Sequence, residues 1–340
     1  MYDKRTHSLC VRQTNGYIMK VGIIGAGAIA AKMAETLAGM KDAEGYAIAS
    51  RSLDSARAFA DRWGFPRAYG SYEEMLEDPD VDLVYVATPH SHHRDHALMC
   101  LHHGKPVLCE KAFTANAVQA EEVLGYARER GVFITEAIWT RYMPLSHRLN
   151  ELLAEGVIGR PTMLTANLGY PLSHKERMYN PALAGGALLD LGVYALNFAL
   201  MAFGTDIERV DSACVKTKTG VDAQESFTLT YRDGRMAVLS STMMAKTDRQ
   251  GIISGEEGHL IVENINNPQR ITVVDSEYRV KAVYDCPKQI TGYEYEVQAC
   301  AEALQRGWLE APDMPHSETL RVMRLMDDLR ARWGVRFPFE

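Results

Sequence analysis

The chain has 340 residues, 46% hydrophobic and 24% charged, which is ordinary globular composition and length enough for two domains. Its formal net charge of −7 excludes the basic surface that nucleic-acid binding requires. No apolar run reads as a membrane span, and residues 1–18 lack the apolar core of a secretory signal.

Residues 1–18 read as an extension ahead of the fold, which is expected to begin at Met19. From there to residue 139 short apolar strands alternate with helical stretches. The predicted strands are Val21–Ile24, Tyr46–Ser50, Leu83–Ala87, Val107–Cys109 and Phe133–Glu136. Segments 52–63 and 115–130 carry helical apolar spacing. Such alternation predicts a doubly wound parallel sheet, a Rossmann domain over 19–139. A linking helix over 145–155 is stopped by Gly156.

From residue 140 a second, α+β domain is expected. Segments 162–170, 208–217, 225–232, 235–243, 250–262 and 270–284 alternate apolar and polar residues, and Asp233-Gly234 is a hairpin signal. They predict a largely antiparallel open sheet. Two helices close the chain, one over 294–306 ended by Gly307 and one N-capped by Ser317 and running to Trp333. The six cysteines form no Cys-x-x-Cys pair, so free thiols in a reducing cytoplasm are expected.

The first chemical signal is Gly25-x-Gly27-x-x-Ala30, directly after the first strand and opening a helix. Gly25 permits the tight turn, Gly27 lets a pyrophosphate approach the backbone, and the helix start at Ala28 and Ile29 offers free N–H groups. The second strand ends in Ser50-Arg51-Ser52, where an NAD-selective domain carries an acid. A guanidinium flanked by hydroxyls suits a 2′-phosphate, so NADP is expected, with NAD the alternative.

The third and fourth of these strands deliver two polar clusters at their C-terminal ends. One is Thr88-Pro89-His90-Ser91-His92-His93, which includes three cofactor contacts, Thr88, Pro89 and His93. His92 and His96 lie four apart, but no carboxylate or cysteine pattern completes a metal site. The other is Glu110-Lys111, both expected at the cofactor, whose lysine points into the ligand crevice. In the second domain the run 185–197 reads as a buried helix with Asp190, Tyr194 and Asn197 on one face. Lys111 and Tyr194 form an acid–base pair in which the ammonium is expected to lower the phenol's pKa. Around 168–180, Tyr170, His174, Arg177 and Tyr179 are candidate substrate contacts.

The glycine loop, Glu110-Lys111, the run from Glu136 to Pro144 and the run from Gly185 to Tyr194 resemble the glucose–fructose oxidoreductase and inositol dehydrogenase family. The resemblance is closest to its branch of dimeric dihydrodiol dehydrogenases and NADP-dependent xylose dehydrogenases, and it spans residues 19–340. It implies that Lys111 and Tyr194 are catalytic and that Asp190 positions the substrate. It also implies that Trp139 and Arg141 line the cofactor side of the pocket and that the open sheet face pairs two copies. Where the family reads Glu-Lys-Pro this chain has Ala112, which removes proline's restraint on Lys111. The function expected is NADP-dependent hydride transfer at a carbinol or hemiacetal carbon of a sugar, cyclic polyol or dihydrodiol. A redox-neutral enzyme with a recycled, tightly bound cofactor and a non-catalytic NADP-binding sensor are the alternatives. No metal, nucleic acid or membrane partner is expected.

Overall fold

A computed structural model describes residues 17–340; the extension read at 1–18 lies outside it but for Tyr17 and Ile18, which are exposed. Two sheets organise the rest. The first contains β1 (Met19–Ile24), β2 (Ala43–Ala49), β3 (Arg67–Tyr69), β4 (Leu83–Val86), β5 (Val107–Glu110) and β6 (Ile134–Ala137). Its order is β3-β2-β1-β4-β5-β6 and every pairing is parallel. The order reverses between β1 and β4, which opens a crevice at the strands' C-terminal ends. Strands β4, β5 and β6 are buried throughout, as a sheet covered on both faces demands. The crossovers hold α1 (Ala28–Gly39), α2 (Leu53–Trp63), α3 (Tyr72–Leu76), α4 (His90–His102) and α5 (Ala117–Arg130). Strand β3 and helix α3 are three and five residues long, too short to leave a periodic signal.

A 3-10 turn, Trp139–Tyr142, and α6 (Pro144–Ala154) lead into the second half. Its sheet contains β7 (Pro161–Gly169), β8 (Ile207–Lys216), β9 (Asp222–Tyr231), β10 (Met236–Thr242), β11 (Gly251–Gly255), β12 (Gly258–Glu263), β13 (Arg270–Asp275) and β14 (Val280–Asp285). The order is β14-β13-β12-β11-β7-β10-β9-β8; all pairs are antiparallel except β7 with β10. The helices are α7 (Glu176–Tyr179), α8 (Val193–Phe203), α9 (Glu294–Arg306) and α10 (His316–Trp333).

Four sequence expectations change here. Segments 250–262 and 270–284 are each a hairpin rather than one strand, because alternation carries across a tight reversal without a break. Helix α10 is capped by Pro315, not Ser317, and its first N–H, from His316, is taken by the Glu310 carboxylate at 2.6 Å. Residues 181–203, with mean hydropathy 1.6, are in fact long and apolar enough for a span. They are 89% buried against protein, so their hydropathy is that of a core helix. Finally, residues 188–192 form a π-turn ahead of α8, so simple helical spacing does not describe that run. Asp222 on β9 fixes this turn by accepting the Leu188 N–H at 2.5 Å. Gly186, at φ +136, leaves room for that carboxylate, since a Cβ there would collide with Asp222 Oδ1.

Candidate active site

Strand β5 ends in Glu110 and delivers Lys111 to the crevice. Its ammonium donates to the Asp190 carbonyl at 2.8 Å and to Asp190 Oδ1 at 3.0 Å, across the two halves of the chain. The peptide between Lys111 and Ala112 is cis although no proline follows. Arg177 donates to the same Asp190 Oδ1 at 2.6 Å. Burial alone would push the Asp190 carboxyl up, but these two cations hold it well below the usual carboxylate range.

Tyr194 lies one helical turn beyond Asp190, with Lys111 Nζ 5.2 Å from its ring centroid. Its hydroxyl accepts the Trp139 indole N–H at 3.0 Å. Trp139 in turn stacks on Tyr293, centroids 4.2 Å apart and planes 17° from parallel. The expected lowering of the Tyr194 pKa is reversed. Burial, and then Tyr293, Glu110 and Asp190, push the phenol well above its ordinary value. The Lys111 ammonium is spent on Asp190, so Tyr194 stands in the site as a protonated phenol.

Glu110 is buried beside Lys111. Its carboxyl accepts from the Tyr85 hydroxyl and, at 3.1 Å, from the Lys111 N–H, and burial pushes its pKa up against the pull of Lys111. Glu136, also buried, accepts the Phe113 N–H at 3.1 Å and is pushed up to about 7 by burial. Both carboxyls thus brace the loop that carries Lys111.

At the other end of the crevice, Gly25 has φ +98 and Gly27 is exposed. A Cβ on Gly27 would meet nothing within 4 Å, so the backbone there is open to a ligand. Helix α1 begins at Ala28 with no side-chain cap and no acid in its first turn, leaving its N–H groups and positive dipole end for an anion. Ile29 follows, half-buried. This cradle fits the pyrophosphate of a dinucleotide. Ser50 and Arg51 stand at the end of β2, Arg51 exposed and close enough to Tyr72 to act on its phenol. Ser52 caps α2, accepting the Ser55 N–H at 3.4 Å, and Asp54 lies in that helix's first turn.

Thr88 and Pro89 follow β4, and two further expected contacts, His93 and Arg141, have their side chains bonded within the protein. His93 is fully buried, with Nδ1 2.9 Å from the Ala112 carbonyl and Nε2 2.7 Å from the Thr88 carbonyl. Its ring ties the loops after β4 and β5 together. Burial pulls its imidazole down to about 4. Arg141 donates to Asn197 Oδ1 at 2.6 Å and Glu318 at 3.2 Å, a brace between the 3-10 turn, α8 and α10.

Among the described residues no cluster of three His, Cys, Asp or Glu side chains could hold a metal ion. His96 instead pairs with Thr88 Oγ1 at 3.0 Å and packs edge-on to Tyr72. Tyr170 accepts from Arg249 at 2.9 Å, whereas His174 and Tyr179 are exposed. Sequence reasoning missed Tyr293, which sits in a segment without a motif and reaches Trp139 only through folding.

Residues 19–137 match the model of the oxidoreductase family GFO/IDH/MocA, NAD-binding Rossmann fold, and residues 146–261 match the GFO/IDH/MocA C-terminal domain. The chain belongs to the GFO/IDH/MocA oxidoreductase family. It is 37% identical to a trans-1,2-dihydrobenzene-1,2-diol dehydrogenase of Xenopus tropicalis over 333 residues, 94% of this chain and 99% of that one. The Homo sapiens protein of the same name is 33% identical, covering 94% and 98%. A 3-ketoreductase from Actinomadura kijaniata, KijD10, solved with NADP and TDP-benzene, superposes with a TM-score of 0.83 at 29% identity, covering 94% and 98%. This member of the GFO/IDH/MocA family is therefore an enzyme acting on hydroxyl or carbonyl groups, with a nicotinamide dinucleotide as cofactor.

Proposed function

We propose that the protein is an NADP-dependent dehydrogenase/reductase of a sugar, cyclic polyol or dihydrodiol. The observation that carries this is the convergence of Lys111, Asp190 and Tyr194 from two halves of the chain beside the crevice of the first sheet. When bound, the dinucleotide supplies or accepts the hydride. The chain's own residues handle the oxygen. Lys111 and Arg177 hold Asp190 ionised, and its carboxylate orients a substrate hydroxyl. Tyr194 Oη gives its proton to the carbonyl oxygen as the carbon is reduced and takes it back from the carbinol in the reverse direction. Trp139 fixes the phenol by donating to its oxygen, and the Trp139–Tyr293 stack forms an apolar wall for a ring.

NADP is favoured over NAD by Arg51 and its flanking hydroxyls, where an acid would repel a 2′-phosphate. Purified protein mixed with NADP and a panel of aldoses and vicinal diols should form reduced cofactor. An Arg51→Asp variant should lose on the order of tenfold or more in kcat/KM for NADP relative to NAD. Silence with every substrate in both directions sinks the enzymatic reading, and an unchanged cofactor ratio sinks the role of Arg51.

A homodimer is the assembly that the open sheet face supports. Thr228, Val238, Thr165, Ile252, Ile261 and Thr272 fall in one register row across six strands, uncharged until it reaches Asp211 on the edge strand β8. Charges are scarce at interface centres, as they are on this row. Light scattering should give the mass of two copies, and Val238→Asp should release a single copy; a wild-type monomer rejects the assignment.

A further inference from the structure

The π-turn at 188–192 carries Asp190, and its backbone reaches the reaction through Lys111. Within it the Val193 N–H returns to the Leu188 carbonyl, five residues back rather than four. Lys111 meets the helix at this wide point. Its ammonium takes the Asp190 main-chain carbonyl at 2.8 Å as well as Oδ1 at 3.0 Å. The lysine is therefore held by the backbone of the turn, and a shift of the turn moves ammonium and carboxylate together. Tyr194 lies in the first turn of α8, directly after, so the same segment sets where its hydroxyl stands.

What holds the turn comes from the second sheet. Leu188 lies in the first turn of the helical run, where an N–H has no helical acceptor. Ala187, just ahead of the turn, has no side chain that could cap it. Asp222 on β9, 34 residues away, supplies the acceptor: its Oδ2 takes the Leu188 N–H at 2.5 Å. The far end of the turn is confined as well. A Cβ on Gly192 would sit 3.0 Å from Ser241 Oγ and 3.1 Å from Glu225 Oε1. Asp222 is fully buried. A carboxyl so placed is costly unless it meets a donor, and the Leu188 N–H is that donor. Burial pushes the carboxyl above its usual range, so the turn needs an acceptor more than a charge.

Taking the dehydrogenase reading above as its basis, we propose that Asp222 is a positioning residue for the reaction: its cap fixes the turn that presents Asp190 to Lys111 and Tyr194 to the substrate oxygen. Asp222 acts through the turn and not on the substrate itself.

The test compares Asp222→Ala, which removes the acceptor, with Asp222→Asn, which keeps it. Each is assayed for kcat, KM and NADP affinity well below its melting temperature. A readout independent of turnover is trace acetylation of Lys111 relative to Lys105, scored on peptides by mass spectrometry. Lys105 stands at the opposite end of β5, donating to the Asp78 and Val81 carbonyls at 2.6 and 3.0 Å. Asp222→Ala should lose about tenfold to 100-fold in kcat and bind NADP within about twofold of the parent. Its Lys111-to-Lys105 labelling ratio should rise about threefold or more. Asp222→Asn should keep kcat within about threefold of the parent. Where Asp222→Ala does not fold, Asp222→Ser replaces it; its hydroxyl is one bond shorter and should give a smaller shift of the same sign. A folded Ala or Ser variant with the parent's kcat and labelling ratio overturns the proposal and leaves the dehydrogenase reading intact. So does an Asn variant as slow as the Ala variant, or an equal rise in labelling at both lysines, which marks general loosening. A parent silent with every aldose and diol in both directions removes the dehydrogenase reading, and this role with it.

Discussion

Tyr194→Phe should bind the reduced cofactor like the parent and lose on the order of 100-fold to 10,000-fold in kcat. The ring remains, so the packing against Lys111 survives; only the hydroxyl that holds the transferable proton is gone. The Trp139 indole N–H, now without its acceptor at 3.0 Å, costs about 1–3 kcal/mol of stability, read as a fall in melting temperature. The raised pKa of the phenol adds a directional signature. Carbonyl reduction needs Tyr194 protonated, so its rate should stay level through neutral pH and fall only in strong alkali. Carbinol oxidation needs a proton acceptor, so its rate should climb as pH rises. Stopped-flow rates in both directions against pH, with cofactor affinity from fluorescence, test this. Full activity in Tyr194→Phe shows that another group carries the proton.

Lys111→Met should be the more damaging variant for the fold as well as the reaction. It deletes two hydrogen bonds to Asp190 and leaves that buried carboxylate with Arg177 as its remaining ion-pair partner. Breaking a buried pair from one side costs about 3–5 kcal/mol. Activity should fall on the order of 100-fold or more, because the carboxylate and the developing charge on the substrate oxygen lose their nearest cation. The pH dependence has a definite sign. Asp190 is held below its unfolded value, so its stabilising contribution is present above about pH 4 and is lost only as pH falls through the depressed folded value. The parent and Lys111→Met should therefore differ most in melting temperature near neutral pH and converge in acid. A gap that widens as pH falls from 7 to 5 would contradict the assigned pair.

Much of this architecture was legible in the chain itself. The helix over Glu294–Arg306 matches its expected bounds, and the strand ending at Glu110 places Lys111 at the crevice because a short apolar strand followed by a polar pair leaves few alternatives. The hairpin at Asp233-Gly234 follows from turn chemistry alone, and Gly234 sits at φ +87. Hairpins at 255–258 and 275–280 were not legible, since a two-residue period looks the same on both sides of a reversal. The Ser317 cap failed for a related reason. The helix starts one residue before Ser317, at His316, whose N–H goes to the Glu310 carboxylate six residues away. His93 and Arg141 carry polar groups in the right motifs, yet their partners, the Ala112 carbonyl and Asn197, lie 19 and 56 residues away.

Sequence alone determined the Rossmann half, the glycine cradle at 25–30, the pairing of Lys111 with the Asp190–Tyr194 run and the family to which they point. These are local patterns: strand followed by glycine turn, apolar strand followed by lysine, polar residues set in a buried helix. Tertiary structure decided what those groups are. Burial raised the Tyr194 pKa where its neighbour's charge suggested a lowering, because desolvation and the groups around it outweigh an ammonium already engaged by Asp190. It also brought Tyr293 onto Trp139 and Arg249 onto Tyr170, pairs separated by 154 and 79 residues. Charge balance and solvent exclusion depend on which distant segments meet, and no periodicity records that.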